Sequence, residues 1–300
     1  MKKILALVLV LMLSLGMVAS ASAAGELVYL ITMDKMDMHW VSVDAGAKDM
    51  ATALGLEYKW DGPDGKSNAT QIEVMNNAIA ENPAVILLAA TDPTGIAKTV
   101  EEAQAAGIKV IYVDSPAAAP TIQTLSTDNY AAGKLAGVTM IEELDKAGKT
   151  EGKIAIIGVN TATNSTMNRE NGFREAIAAD GRFECLTTEF KDGLAAESQE
   201  AATNFINGNP DLVGIFGTNE GSTVGTGNAI KAEGEGIIGV GFDKSDAIQA
   251  LLDDGSLKGA MAQNPYTMGY IGVAQAFAAI NGFSTGPAVI DTGVAVLRGN

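Results

Sequence analysis

Asn82-Pro83-Ala84-Val85-Ile86-Leu87-Leu88-Ala89-Ala90-Thr91-Asp92 reads closely against Asn209-Pro210-Asp211-Leu212-Val213-Gly214-Ile215-Phe216-Gly217-Thr218-Asn219. Each stretch is a helix-breaking Asn-Pro, a continuous apolar run of strand length, and a polar pair where the run ends. The likeness continues downstream. Gly107-Ile108-Lys109-Val110-Ile111-Tyr112-Val113-Asp114 matches Gly236-Ile237-Ile238-Gly239-Val240-Gly241-Phe242-Asp243 at nearly the same distance from the first match, and both copies end in an aspartate. Any two strand-helix-strand units share some of this through turn chemistry alone, but coincident spacing and strand-end residues favour a duplicated plan.

Working outward, apolar strand runs alternate with helical patterns of ten or more residues along the chain. Strands are expected over 27–33, 57–60, 84–89, 108–113, 154–159, 183–188, 212–217, 237–241 and 259–263. Helices are expected over 40–54, 68–81, 94–106, 129–145, 166–179, 194–207, 221–233 and 244–253. Strands buried on both faces between helices describe an α/β fold built on parallel sheets, and 300 residues suit two domains better than one.

Composition removes whole classes of function. One histidine and one cysteine leave no intrachain disulfide, no ordinary zinc site, and only His39 to support a nucleophile triad. A formal net charge of -16 repels phosphate backbones, so nucleic acid is not an expected partner. At the N-terminus, Met1-Lys2-Lys3, the apolar run from Ile4 to Val18 and Ala21-Ser22-Ala23 form a secretory signal peptide, residues 1–23. Its apolar run of about 15 residues spans roughly 22 Å, short of a ~30 Å hydrocarbon core. No cysteine follows the run to carry a lipid. The mature chain is therefore expected to be exported and soluble.

In open parallel sheets ligands bind beyond the carboxyl ends of the strands. This chain puts there Asp34, Lys35, Asp37, His39 and Trp40, then Thr91 and Asp92, then Asp114 and Ser115. The second copy supplies Asn160, Thr161, Asn164, Arg169, Asn219, Glu220, Asp243 and Gln263. Carboxylates and amides that pair with hydroxyls, beside an aromatic face, describe a neutral polyhydroxylated ligand such as a sugar. No glycine-rich phosphate motif follows any strand. Each residue also has an ordinary alternative. Asp92, Asp114 and Asp243 suit helix N-caps, Trp40 suits the core, Arg169 suits a helix surface, His39 suits a loop, and Cys185 suits a buried apolar position.

Taken in order, Val41-Ser42-Val43-Asp44-Ala45-Gly46-Ala47, Ser126-Thr127-Asp128-Asn129-Tyr130-Ala131-Ala132-Gly133, Gly239-Val240-Gly241-Phe242-Asp243 and Gln263 make the chain resemble the periplasmic sugar-binding proteins of the ribose-binding type. The likeness spans essentially the whole mature chain. It implies two Rossmann-like lobes with parallel sheets joined by a three-strand hinge, the type I periplasmic binding protein fold. Lobe 1 would comprise 24–127 plus 264–290 and lobe 2 would comprise 128–263 plus 291–300, with crossings near Thr127, Asn264 and Asp291.

Position by position, the resemblance implies that Trp40 is one of the aromatics sandwiching the sugar and that His39 stands where a second aromatic usually precedes it. Asp37 stands at a loop asparagine. Asp114, Arg169, Asn219, Asp243 and Gln263 take the family's polar contacts, and Phe190 supplies the opposing aromatic. Three departures change the set: Ser115 replaces an arginine beside the aspartate, Met38 replaces a loop proline, and the first loop is one residue longer. Losing a five-donor guanidinium alters which hydroxyls can be satisfied.

The implied function is capture of a monosaccharide or related polyol between the lobes and delivery to an ABC importer. The implied partners are that sugar, permease subunits in the inner membrane and, as a further membrane partner, a chemoreceptor. The protein would be a periplasmic monomer with no cofactor and no metal. Two rivals are an exported carbohydrate-active hydrolase using two cleft carboxylates, and the effector domain of a transcription regulator, against which the leader stands.

Overall fold

The structure is a computed structural model that describes residues 25–300. The leader expected over 1–23 lies outside the described residues. The first sheet holds β1 (Leu27–Ile31), β2 (Glu57–Asp61), β3 (Val85–Leu88), β4 (Lys109–Val113), β5 (Thr124–Ser126) and β12 (Val289–Asp291), in the order β12-β5-β4-β3-β1-β2. The second holds β6 (Gly152–Gly158), β7 (Phe183–Cys185), β9 (Leu212–Gly217), β10 (Ile238–Phe242), β11 (Gly259–Gln263) and β13 (Val294–Leu297), in the order β13-β11-β10-β9-β6-β7. The two-residue β8 (Glu189–Phe190) also pairs with β6. All pairs are parallel except β11 with β13.

Stripped of the last strands, both sheets follow one order. The first strand of each lobe lies between the second and third, with the fourth and fifth continuing outward. The duplication read from the two Asn-Pro stretches is thus also a duplication of topology. That order puts a switch point between β1 and β3 in one lobe and between β6 and β9 in the other, where a crevice opens beyond the strand ends.

The sheets are buried on both sides, which is why their strands read as unbroken apolar runs rather than alternating ones. Along β1, Val28 and Leu30 enter one core cluster while Tyr29 and Ile31 enter another. Ile154 and Ile156 of β6 divide from Ala155 and Ile157 in the same way.

The helices are α1 (Met38–Leu54), α2 (Asn68–Ala80), α3 (Ala97–Ala105), α4 (Asn129–Lys146), α5 (Asn164–Asp180), α6 (Ala195–Gly208), α7 (Glu220–Glu233), α8 (Asp246–Asp253) and α9 (Pro265–Ile280). Three differ informatively from expectation. The helix expected from 94 starts at Ala97, because Asp92 turns the chain by accepting from the backbone of Thr94 and Gly95. The helix expected from 244 starts after Ser245, whose hydroxyl caps Ile248 N. Pro265–Ile280 forms a helix that the pattern did not announce, since its alanines, glycines and apolar residues show little contrast between faces.

The chain passes between sheets at three places: after β5, after β11 and between β12 and β13. As a result α4, which follows β5, packs on α5, β10 and β11, while α9, which follows β11, packs on α1, β3 and β4. The helix that follows the fifth strand of each sheet thus packs on the other sheet.

Candidate functional site

After β1 the chain turns through Asp34, whose Oδ1 accepts from the backbone N–H groups of Met36 and Asp37 at 2.8 and 2.9 Å. The turn aims Asp37, His39 and Trp40 into the crevice. Lys66, from the loop after β2, reaches over with Nζ 2.7 Å from Asp37 and 3.0 Å from Asp34. Burial opposes its charge, but the two carboxylates outweigh that and raise its pKa. Of the pair, burial leaves the Asp37 carboxyl raised, whereas Lys66 and the two backbone donors overcome burial at Asp34 and hold it low.

Asp114 and Asp243 end the fourth strand of their lobes, and both adopt left-handed backbones, at φ 63 and 77. Asp tolerates this region better than most residues, and such conformations gather at binding sites. Neither is the N-cap of a helix: α8, after β10, is capped by Ser245, and Asp114 is followed by a loop leading to β5. Their carboxylates converge on His39, with Asp114 Oδ2 3.1 Å from Nε2 and Asp243 Oδ1 3.5 Å from Nδ1. Both contacts are close enough for ion pairing yet too poorly aligned to be hydrogen bonds. Burial disfavours the imidazolium, but the two carboxylates outweigh it and raise His39 to about 10. Reciprocally, His39 prevails over burial to lower Asp114, and to lower Asp243 to about 2. The cluster is therefore a buried cation between two anions, one from each lobe.

Further groups fix these three. Ser115 Oγ donates to Asp114 Oδ1 at 2.8 Å and lies 2.7 Å from Ser165 Oγ of the other lobe. Gln263 Nε2 donates to Asp243 Oδ1 at 2.6 Å. Arg169, on α5, donates from Nε to Asn129 Oδ1 and from Nη1 to the Thr218 carbonyl, and its guanidinium sits 4.3 Å over the Phe242 ring. Asn219 forms a capping box with Ser222 at the start of α7. The next residue, Glu220, accepts from His39 N at 3.3 Å. Burial first, then Asp243 and Asp37, raise its carboxyl to about 7.

Most of these groups line a small cavity of about 30 Å³ between the lobes. Eight of the ten expected residues face it: Asp37, His39, Trp40, Asp114, Arg169, Asn219, Asp243 and Gln263. Trp40 is 4% exposed and packs in the core cluster, and it also lines the cavity.

Two expected residues stand elsewhere. Ser115 sits behind Asp114 and buttresses it. Phe190 does not line this cavity: β8 pairs it beside Gly158, where the missing side chain leaves room for its ring, and it lines a separate depression with Arg174 and Thr188. Cys185 borders the same depression and is half-buried rather than fully enclosed. Lys66, Thr163, Ser165 and Thr166 line the cavity without having been singled out. The rule that found the others, polar groups just past a strand end, applies equally to the loops that carry Lys66 and Thr163, while Ser165 and Thr166 lie in the first turn of α5.

This arrangement offers several acceptors, one guanidinium and an indole face around a small volume, a set that binds hydroxyls. Comparison with known proteins agrees. Residues 28–283 match the periplasmic binding protein domain. The ribose import binding protein of Escherichia coli K12 is 27% identical over 285 residues, covering 94% of this chain and 94% of its own. Among solved structures, a carbohydrate transporter solute-binding protein from Agrobacterium radiobacter in complex with D-arabinose superposes with a TM-score of 0.89 at 29% identity, covering 92% of this chain and 95% of that one. An ABC transporter solute-binding protein from Agrobacterium vitis with bound D-fucose gives 0.86 at 30% identity, covering 91% and 95%. These are transport binding proteins and not enzymes, which removes the support for a hydrolase. A repeated five-strand order, a cleft lined from both lobes and these whole-chain likenesses place the chain in the periplasmic binding protein domain family, on the type I fold of the ribose-type sugar-binding proteins.

Proposed function

We propose that this chain is the solute receptor of an ABC sugar importer, which captures a monosaccharide or related polyol in the cleft and hands it to permease subunits in the membrane. The observation that carries this reading is a cavity lined by polar groups from both lobes, with Asp114 and Asp243 at equivalent strand ends. Residues 24–127 plus 264–290 act as one lobe and 128–263 plus 291–300 as the other, hinged at the three connections. The ligand contacts are Asp37, Trp40, Asp114, Arg169, Asn219, Asp243 and Gln263, with His39 among them. A ligand touched by both lobes shifts the population toward closure by its differential affinity for the closed form, and the permease reads the closed pair of lobe surfaces. The protein works as an exported monomer in the periplasm after cleavage near Ala23, with no cofactor or metal.

A thermal-shift screen of the mature chain, unfolded and refolded to strip carried ligand, tests this. D-ribose, D-arabinose, D-fucose, D-tagatose and polyols form the panel. Ligand at 1,000 times its dissociation constant adds about 4 kcal/mol, or several degrees of melting shift. A shift confined to a subgroup of the panel is the expected result, and a flat response across it would refute a sugar ligand.

A further inference from the structure

Glu220 opens α7 in one lobe and reaches the other, where its Oε2 accepts from His39 N at 3.3 Å, yet it does not line the cavity. The charged and polar groups around it come from both sides. The facing lobe presents Asp37, with Lys66 already bound to it, and His39, whose ring lies between Asp114 and Asp243. Its own lobe presents Asp243 after β10 and the Ser245 hydroxyl before α8. Arg169 there is directed to Asn129 and the Thr218 carbonyl, and the exposed Lys244 borders a neighbouring chamber. The loop into α6 meets the same turn of α7 through the backbone of Gly193 and Ala195. Among the described residues no basic side chain pairs with Glu220, while Lys66, His39 and Arg169 are each held by other groups.

The His39 N–H, the Ser245 hydroxyl and the start of a helix favour a carboxylate here. Burial, Asp243 and Asp37 oppose it. Asp37 and the cover of the facing lobe act only when the lobes meet, because both belong to the other side of the cleft. Closing on a ligand therefore sets an unpaired carboxylate of one lobe against a carboxylate of the other, an arrangement that favours the neutral acid.

We propose that Glu220 is a proton-linked closure residue: the cleft shuts on its ligand with a proton taken up at this carboxyl, so capture is tighter at lower pH. The inference rests on the sugar-receptor reading for the ligand that drives closure. With the lobes apart Glu220 faces water and titrates nearer its ordinary 4.5, whereas in the closed form it is raised to about 7. A group whose closed value is the higher one favours closure fully below the open value and progressively less as pH rises through the closed one. Between the two, affinity falls by up to about tenfold per pH unit. His39 keeps Asp114 of its own lobe when the cleft opens, so it is protonated in both forms at pH 5 to 6 and exchanges no proton there. The carboxyl of Asp37 is raised as well, but Lys66, from the same lobe, stays beside it in either form. Since Glu220 does not line the cavity, the dependence belongs to closure and is the same for every sugar that binds.

Calorimetric titration with D-arabinose, D-ribose, D-fucose and D-tagatose at pH 5, 6 and 7 tests this on the wild type and Glu220→Gln, with circular dichroism confirming the fold at each pH. At pH 6 the titration is repeated in two buffers of different ionisation enthalpy. Wild-type affinity should fall about tenfold or more from pH 5 to 7, with about one proton taken up per ligand at pH 6. Glu220→Gln should bind more tightly than the wild type at pH 7, with a flat profile and no proton uptake. A variant that keeps the wild-type slope and uptake, or one that binds more weakly at every pH, overturns the linkage, as does a wild type that binds without proton uptake. Binding by none of the four sugars instead overturns the sugar reading, and the inference with it.

Discussion

Asp114 and Asp243 carry most of the site's chemistry, and each asks two things of its residue: a carboxylate and tolerance of a left-handed backbone. Asp→Asn keeps the second and alters the first, so Asp114→Asn should fold like the wild type while binding is weakened at least tenfold. A titration of the best sugar from the panel, read by Trp40 fluorescence, checks this. The same titration reports on the indole, whose emission should change on binding because its ring borders the cavity. The aspartate–histidine cluster also sets a pH profile. His39 is raised from 6.5 to about 10, so its contribution to folding is fully present below 6.5 and is lost as pH rises through 10. Asp243 is lowered from 3.8 to about 2, so the same pair fades again as pH falls toward 2. Stability from this cluster should thus peak between about pH 4 and 6.5 and decline above it by at most about 1.4 kcal/mol per pH unit, one proton's worth. Denaturant midpoints across pH 5 to 9 measure the slope, and His39→Gln should flatten it. The aspartates were legible in the sequence because strand-end position alone locates them. The role of His39 was not, because the partners that make it a buried cation lie far along the chain and meet it only when the lobes face each other.

At the level of elements, the helices covering the cleft are seated by backbone contact at glycines. A Cβ on Gly133 of α4 would lie 2.1 Å from the Arg169 carbonyl oxygen of α5, and one on Gly172 of α5 would lie 2.1 Å from that of Tyr130. Such contacts cannot be relieved by a side chain swinging aside. Gly133→Ala should therefore cost about 1 to 3 kcal/mol, the range for overpacking, lowering the melting temperature by several degrees. Because the displaced backbone is that of Arg169, sugar affinity should fall as well. Gly208→Ala, at the end of α6 with nothing within 4 Å of the added carbon, is the control and should leave both unchanged. The strand-helix alternation was readable because each strand is buried on both faces and each turn carries its own chemistry, as at Asn82-Pro83 and Asn209-Pro210. The α9 helix was not, since its small and apolar residues show little contrast between faces, nor were the two-residue β8 and the short closing strands β12 and β13, which are brief, partly exposed and placed by the sheets they complete.

At the scale of the whole molecule, two copies of one strand order face each other across a cleft, and equivalent aspartates meet there. The chain carries a formal net charge of -16, while buried cations, Lys66, Arg169 and His39, are concentrated at the interlobe seam. In the proposed function a sugar is held by both lobes at once. Calorimetric titration of the best panel sugar into the wild type, Asp114→Ala and Asp243→Ala tests it most directly. Removing one carboxylate leaves buried hydroxyls unpaired at about 1 to 3 kcal/mol each, so either variant should lose roughly tenfold to a hundredfold in affinity. If either variant binds as tightly as the wild type, one lobe suffices and the two-lobe capture described here is wrong.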